Sequence, residues 1–211
     1  MKIVYVCADR GIPLLGDKGA SVHLRSLAAA LTGRGNIVTV ACANLRGANN
    51  PAPAGVRVEE MPDAEDAQRD FLIALFSEVE PDVVLERYSL SSGPAQAAAR
   101  TSRIPFVLEV NAPLVDEAAR YRGLVEVERW RSWERQVLAS ADRLIAVSPA
   151  IRSHLLELAI DPERVAVIHN GVDLASFEGS DGRAIRARHG LDDAIVSGSA
   201  AVSSPGTAST R

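Results

Sequence analysis

With 211 residues, 47% of them apolar, the chain has material for one packed core of ordinary domain size, which excludes a string of small modules. Its formal charge of −4 argues against a nucleic-acid-binding surface, where a clustered basic excess is expected. The apolar run Lys2 to Cys7 is too short for a secretion signal and nothing elsewhere reaches the length of a membrane span. Together with two cysteines, Cys7 and Cys42, in neighbouring predicted strands and without metal-ligand spacing, this reads as a cytoplasmic protein with reduced core thiols.

Short apolar runs alternate with helical patterns along the chain, the signature of repeated βαβ units. The first strand is predicted at Lys2 to Cys7 and leads into a loop with Gly11, Gly16 and Gly19. A helix follows, with Leu24, Leu27, Ala28 and Leu31 on one stripe and a stop at Gly33 and Gly35. Strands are then expected at Ile37 to Ala43 and Val56 to Met61, before a helix carrying Leu72, Leu75, Phe76 and Val79 that Pro81 ends. Asp82 to Glu86 reads as the next strand, Pro94 to Arg103 as a short alanine-rich helix, and Pro105 to Val110 as another strand. One long helix is expected from about Leu114 to Ser140, then a strand at Arg143 to Val147. Ser148-Pro149 reads as an N-cap followed by proline in the first turn, opening a helix with Ile151, Leu155 and Leu158 inward. The series closes with a strand at Val165 to His169. Near-continuous apolar strands of this kind suit an α/β, Rossmann-like parallel sheet with helices on both faces.

In such sheets ligands bind beyond the carboxyl ends of the strands, so the loops there hold the candidate residues. After the first strand, glycines allow close backbone approach, and the helix start can offer N–H groups to a phosphate; Gly16, Gly19, Ser21 and His23 form this candidate phosphate-facing loop. Neither the G-x-G-x-x-G spacing nor a Gly-Lys-Ser/Thr ending is present, which argues against a dinucleotide site and a P-loop. Glu86-Arg87-Tyr88 and Glu109-Val110-Asn111 end two strands and are expected to share one hollow that takes a hydroxyl-bearing molecule, with Glu86, Arg87 and Asn111 the catalytic candidates. Carboxylates and amides suit hydroxyl recognition, and an arginine suits a carboxylate or phosphate. The competing structural reading has Glu86, Arg87 and Glu109 paired in a network that orders the loops. The four histidines show no metal-ligand clustering, and His23 by itself reads more readily as an ordinary helix residue. Between Arg120 and Arg135, arginines alternate with Tyr121, Trp130 and Trp133; interspersed glutamates favour a solvated face with charge pairs over a membrane-surface helix.

Three stretches carry a family resemblance: Gly16 to Leu31 with Gly33-Arg34-Gly35-Asn36 leading into the second strand; Ala141 to Ser148; and Val167-Ile168-His169-Asn170-Gly171-Val172-Asp173 with Phe177. In this order and spacing they resemble family 4 glycosyltransferases of the GT-B fold, over about residues 1 to 196. The resemblance implies the acceptor-side half of an enzyme that transfers a hexosyl unit, with retention, from a nucleotide-diphosphate sugar to a hydroxyl of a small-molecule or lipid-linked acceptor. It implies no metal and no cofactor beyond that co-substrate, a cytoplasmic location with contact at the inner membrane face where the acceptor is lipid-linked, and a domain junction at Asn170, Gly171 and Asp173. Asn36 stands where the family usually has histidine, and the histidine common after one of the middle strands is absent, a departure shared by a subgroup with the Glu-Arg-Tyr and Glu-Val-Asn-Ala-Pro pair.

The expected organisation is an acceptor-side domain at 1–178, a linker and interrupted start of a second domain at 179–196, and a disordered Ser/Ala/Gly-rich tail at 197–211. The family would continue past Val196 into a nucleotide-sugar-binding domain; the text there reads instead like a shifted frame, so a prematurely ended copy with little activity of its own is the expectation. Two rival readings are a non-catalytic sugar- or protein-binding module and another Rossmann-type enzyme such as an epimerase or dehydrogenase.

Overall fold

The computed structural model describes residues 1–47, 50–179, 181–191 and 193–196; the predicted tail at 197–211 lies outside them. The described chain falls into two compact units, Met1–Gly171 and a second beginning at Val172.

The first unit is built on a seven-stranded sheet in the order β3-β2-β1-β4-β5-β6-β7, every pairing parallel. Its strands are β1 (Lys2–Cys7), β2 (Ile37–Cys42), β3 (Arg57–Glu60), β4 (Val83–Arg87), β5 (Phe106–Val110), β6 (Arg143–Ala146) and β7 (Val165–Val167). Each lies within a residue or two of its predicted span; the inner strands are near-continuous apolar runs, as burial on both faces requires, whereas edge strand β3 is partly exposed and carries Arg57, Glu59 and Glu60. The helices are α1 (Gly19–Gly33), α2 (Glu65–Val79), α3 (Pro94–Ser102), α4 (Leu114–Tyr121), α5 (Val127–Ser140) and α6 (Pro149–Glu157). Ser148 caps α6 as expected, its hydroxyl accepting the Ile151 N–H at 3.2 Å.

One expectation is corrected. The single long helix over Leu114 to Ser140 is two helices, α4 and α5, because Gly123 adopts a left-handed φ of 66° and the Leu124 N–H turns back to the Ala118 carbonyl. A left-handed glycine ends a helix readily, and Glu126, also left-handed, starts the chain on its new course into α5.

Side chains alternate across the sheet and sort into two cores. On one face Val4, Val6, Val84, Leu108, Val110 and Leu144 pack against α2, α3, α5 and α6 through Leu72, Phe76, Ala98, Leu138 and Leu155. On the other, Ile3, Tyr5, Val38, Val40 and Leu85 pack against α1 through Leu24 and Ala28. Cys7 and Cys42 are register partners in β1 and β2, both free and buried, and burial pushes their thiols up to about 12 and about 11. Two aspartates fasten strand starts: Asp82 accepts the Lys2 N–H and Asp142 the Phe106 N–H, each at 2.7 Å.

Among the described residues the second unit carries a 3₁₀ turn at Leu174–Phe177 and α7 (Arg183–His189), which Gly190 closes at φ 63°. Among the described residues no helix is long and apolar enough to cross a membrane.

Candidate active site

The order of strands reverses at the β1–β4 pair. The loop after β1 crosses to α1 on one face, while the chain leaving β4 crosses to α3 on the other, so the carboxyl ends of β1 and β4 open a crevice between diverging loops. What faces it follows from strand parity. Tyr5, Arg87 and Glu109 share the parity of Leu85 and Val107 and point to the α1 side, and Arg87 and Glu109 are register partners on adjacent strands.

Glu109 is the hub. Its Oε2 accepts the Tyr5 hydroxyl at 3.0 Å, and its Oε1 lies 2.8 Å from His23 Nε2, which α1 brings in from its second turn. Burial alone would raise the Glu109 acid, but the His23 hydrogen bond and charge, the Tyr5 hydrogen bond and the Arg87 charge outweigh it and hold it below its ordinary value. Tyr5 is pushed the opposite way, by burial and then by the Glu109 carboxylate. With Nε2 bonded to the carboxylate, Nδ1 is the ring nitrogen of His23 that Glu109 leaves unengaged. Arg87 makes no ion pair among the described residues, and its Nη1 is buried without a partner; Asn111 Nδ2 is likewise unpartnered, while Asn111 Oδ1 accepts from Asn170 Nδ2 at 3.3 Å. Unpaired buried donors at a strand-end crevice are groups that a polar ligand would satisfy.

The five predicted acceptor residues therefore do not share one hollow. Glu86 and Tyr88 project to the opposite face, because they are one residue out of step with Arg87. Glu86 is 0% exposed with neither carboxyl oxygen in a well-formed hydrogen bond, and burial pushes its acid up to about 8, a rise that the nearby Ser92 hydroxyl opposes only in part. Tyr88 donates to Glu134 Oε1 at 2.8 Å and stacks on Trp133, which commits it to holding α5. The alternative of a paired Glu86–Arg87 is excluded by the same parity. Sequence reasoning missed Tyr5 and the His23–Glu109 contact. The available signal was the period of two, which sets Tyr5 and Glu109 on one face; no local pattern shows which helix residue meets them.

The loop after β1 is tied to its own chain. Arg25 reaches back to the Leu14 and Gly16 carbonyls at 2.5 and 2.7 Å, Lys18 Nζ donates to the Gly11 carbonyl at 2.8 Å, and a Cβ on Gly16 would meet Pro13 at 2.6 Å. Gly16 is thus required by packing. Gly19 differs, since a Cβ there would meet nothing within 4 Å, and the α1 start beside it has no side-chain cap. Ser21 is fully buried with its hydroxyl unpartnered. At the predicted junction, Gly171 ends the first unit and Asp173 lies in the second.

Along α5, Trp133 packs against the core while Trp130 beside it is half-buried. Trp130 meets Trp133 edge-on at 5.3 Å and Trp133 meets Tyr88, while Arg129–Glu126 and Arg131–Glu128 pair at the i, i+3 spacing on the solvated side.

Comparison with known proteins agrees with this architecture. The family model of Glycosyltransferase Family 4 matches residues 18–176. D-inositol 3-phosphate glycosyltransferase of Frankia alni is 38% identical over 114 residues, which cover 53% of this chain and 28% of that protein. The same-named protein of Streptomyces bingchenggensis is 37% identical over 120 residues, 54% of this chain and 26% of its own length. HepE of Anabaena, solved with UDP, superposes with a TM-score of 0.66 at 16% identity over 92% of this chain and 51% of its own. This chain thus matches about a quarter of the length of those curated relatives and about half of that solved fold. With the family model spanning α1 and the strands from β2 to β7, the chain belongs to glycosyltransferase family 4.

Proposed function

We propose that this chain supplies the acceptor side of a hexosyltransferase that moves a sugar from a nucleotide diphosphate to a hydroxyl of a small, phosphate-bearing polyol. The observation that carries this is the Tyr5–Glu109–His23 chain beside an incompletely paired Arg87 at the strand-order reversal. In the transfer, the acceptor oxygen bonds to the anomeric carbon while the bond from that carbon to the diphosphate breaks. His23 Nδ1 and Asn111 would hold the acceptor hydroxyls, and Arg87 would take the acceptor phosphate through its planar fork. The names of the curated relatives, inositol 3-phosphate glycosyltransferases, support a polyol phosphate as acceptor. The uncapped α1 start, with Gly19 open beside it, would face the donor diphosphate, whose nucleotide belongs in a second lobe.

Titration calorimetry of this chain with inositol 3-phosphate tests the reading. Saturable binding without nucleotide sugar is expected, weakened about tenfold or more by Arg87→Ala, since a charge-assisted hydrogen bond contributes about 1.5–3 kcal/mol. Binding that Arg87→Ala and His23→Ala both leave unchanged would overturn it.

A further inference from the structure

The amino edge of the sheet, opposite the crevice, carries its own cavity of about 810 Å³ between the end of α3 and the starts of β5 and β6. Arg100, Arg103 and Arg143 line it over a base that includes Ile104 and Phe106. The single carboxylate in the lining is Asp142, already used to accept the Phe106 N–H at 2.7 Å. Arg143 gives one N–H to the Asp142 carbonyl at 3.2 Å, and among the described residues Arg100 and Arg103 have no side-chain hydrogen bond or ion pair. Three guanidinium groups against one carboxylate reverse the sign of the local charge on a chain whose net charge is −4. Arg103 also sits at a left-handed φ of 58°, where glycine or asparagine is the usual choice, so its side chain is kept at a backbone cost. Proximity to the α3 C-terminus favours a cation there, but it requires neither three of them nor a hollow of ligand size.

We propose that this cavity binds the phosphate group of a small phosphorylated molecule, at a site separate from the carboxyl-edge crevice. Guanidinium forks from two elements converge on one anion, and the apolar base accommodates the organic remainder. Calorimetric titration with pyrophosphate, run on the unaltered chain and in an Arg87→Ala background, tests it. Saturable binding is expected in both, weakened about tenfold by Arg100→Ala or Arg103→Ala and partly retained in Arg103→Lys. Because these arginines are exposed, far-UV circular dichroism of the variants is expected to match the parent. Amide chemical-shift changes in the unaltered chain supply a second measurement, expected at Ile104, Phe106 and Arg143. Absence of saturable binding, binding indifferent to Arg100→Ala and Arg103→Ala, or shift changes confined to the Arg87 crevice would overturn the proposal.

Discussion

Glu86 and Glu109 are both acids at the ends of neighbouring strands, yet their surroundings push them in opposite directions. Glu109 has three polar or charged neighbours that favour the carboxylate; Glu86 has burial against it and only a serine in its support. The linkage sign for Glu86 follows from its raised acid. Its contribution to stability is complete below the ordinary value near 4.5 and is lost as pH rises through about 8. Thermal unfolding of the parent is therefore expected to lose stability between pH 4.5 and 8 on the order of a few kcal/mol relative to Glu86→Gln, which removes the titration. A parent-minus-variant difference that stays flat over that window would show that Glu86 is not held as a neutral acid. Glu109 acts at the acid end, where its stabilisation is present above its ordinary value and lost as pH falls through its lowered one.

At the scale of elements, the carboxyl-edge loops are packed backbone against backbone. A Cβ on Gly47, at φ 132°, would come within 2.3 Å of the Leu15 carbonyl, so the loop after β2 presses directly on the glycine loop after β1. Gly47→Ala is expected to cost about 2–3 kcal/mol in urea denaturation, from strain in a region open mainly to glycine together with the clash. Gly19→Ala, with open space around it, is expected to leave stability within about 0.5 kcal/mol of the parent. Equal losses for the two variants would contradict the division between a packing glycine and an open one. The position of Leu15 is what tells the two glycines apart.

Over the whole first unit, the sheet separates two cores, one beneath α1 and one beneath α2, α3, α5 and α6. Leu24→Ala in the first and Leu138→Ala in the second are each expected to cost about 2–5 kcal/mol, because both side chains are fully buried. With no shared partners, the two losses are expected to add to within about 0.5 kcal/mol in the double variant, as read by chemical denaturation. Strong non-additivity would mean that the cores communicate through the sheet. By itself, the sequence determined the strands, most helix ends, the cap at Ser148 and the stop at Gly33 and Gly35, because apolar period and cap chemistry are local properties of the chain. It also placed Arg87, Glu109 and Asn111 at strand tips, since each lies at or just past the end of an apolar run. Strand alternation, again a local property, already sets Glu86 and Tyr88 on the face opposite Arg87; tertiary structure alone decided that His23 and Tyr5 meet Glu109 and that arginines gather at the far edge. Those outcomes depend on which face of a twisted sheet each helix covers, and that is fixed by contacts between residues as far apart in sequence as Tyr5 and Glu109.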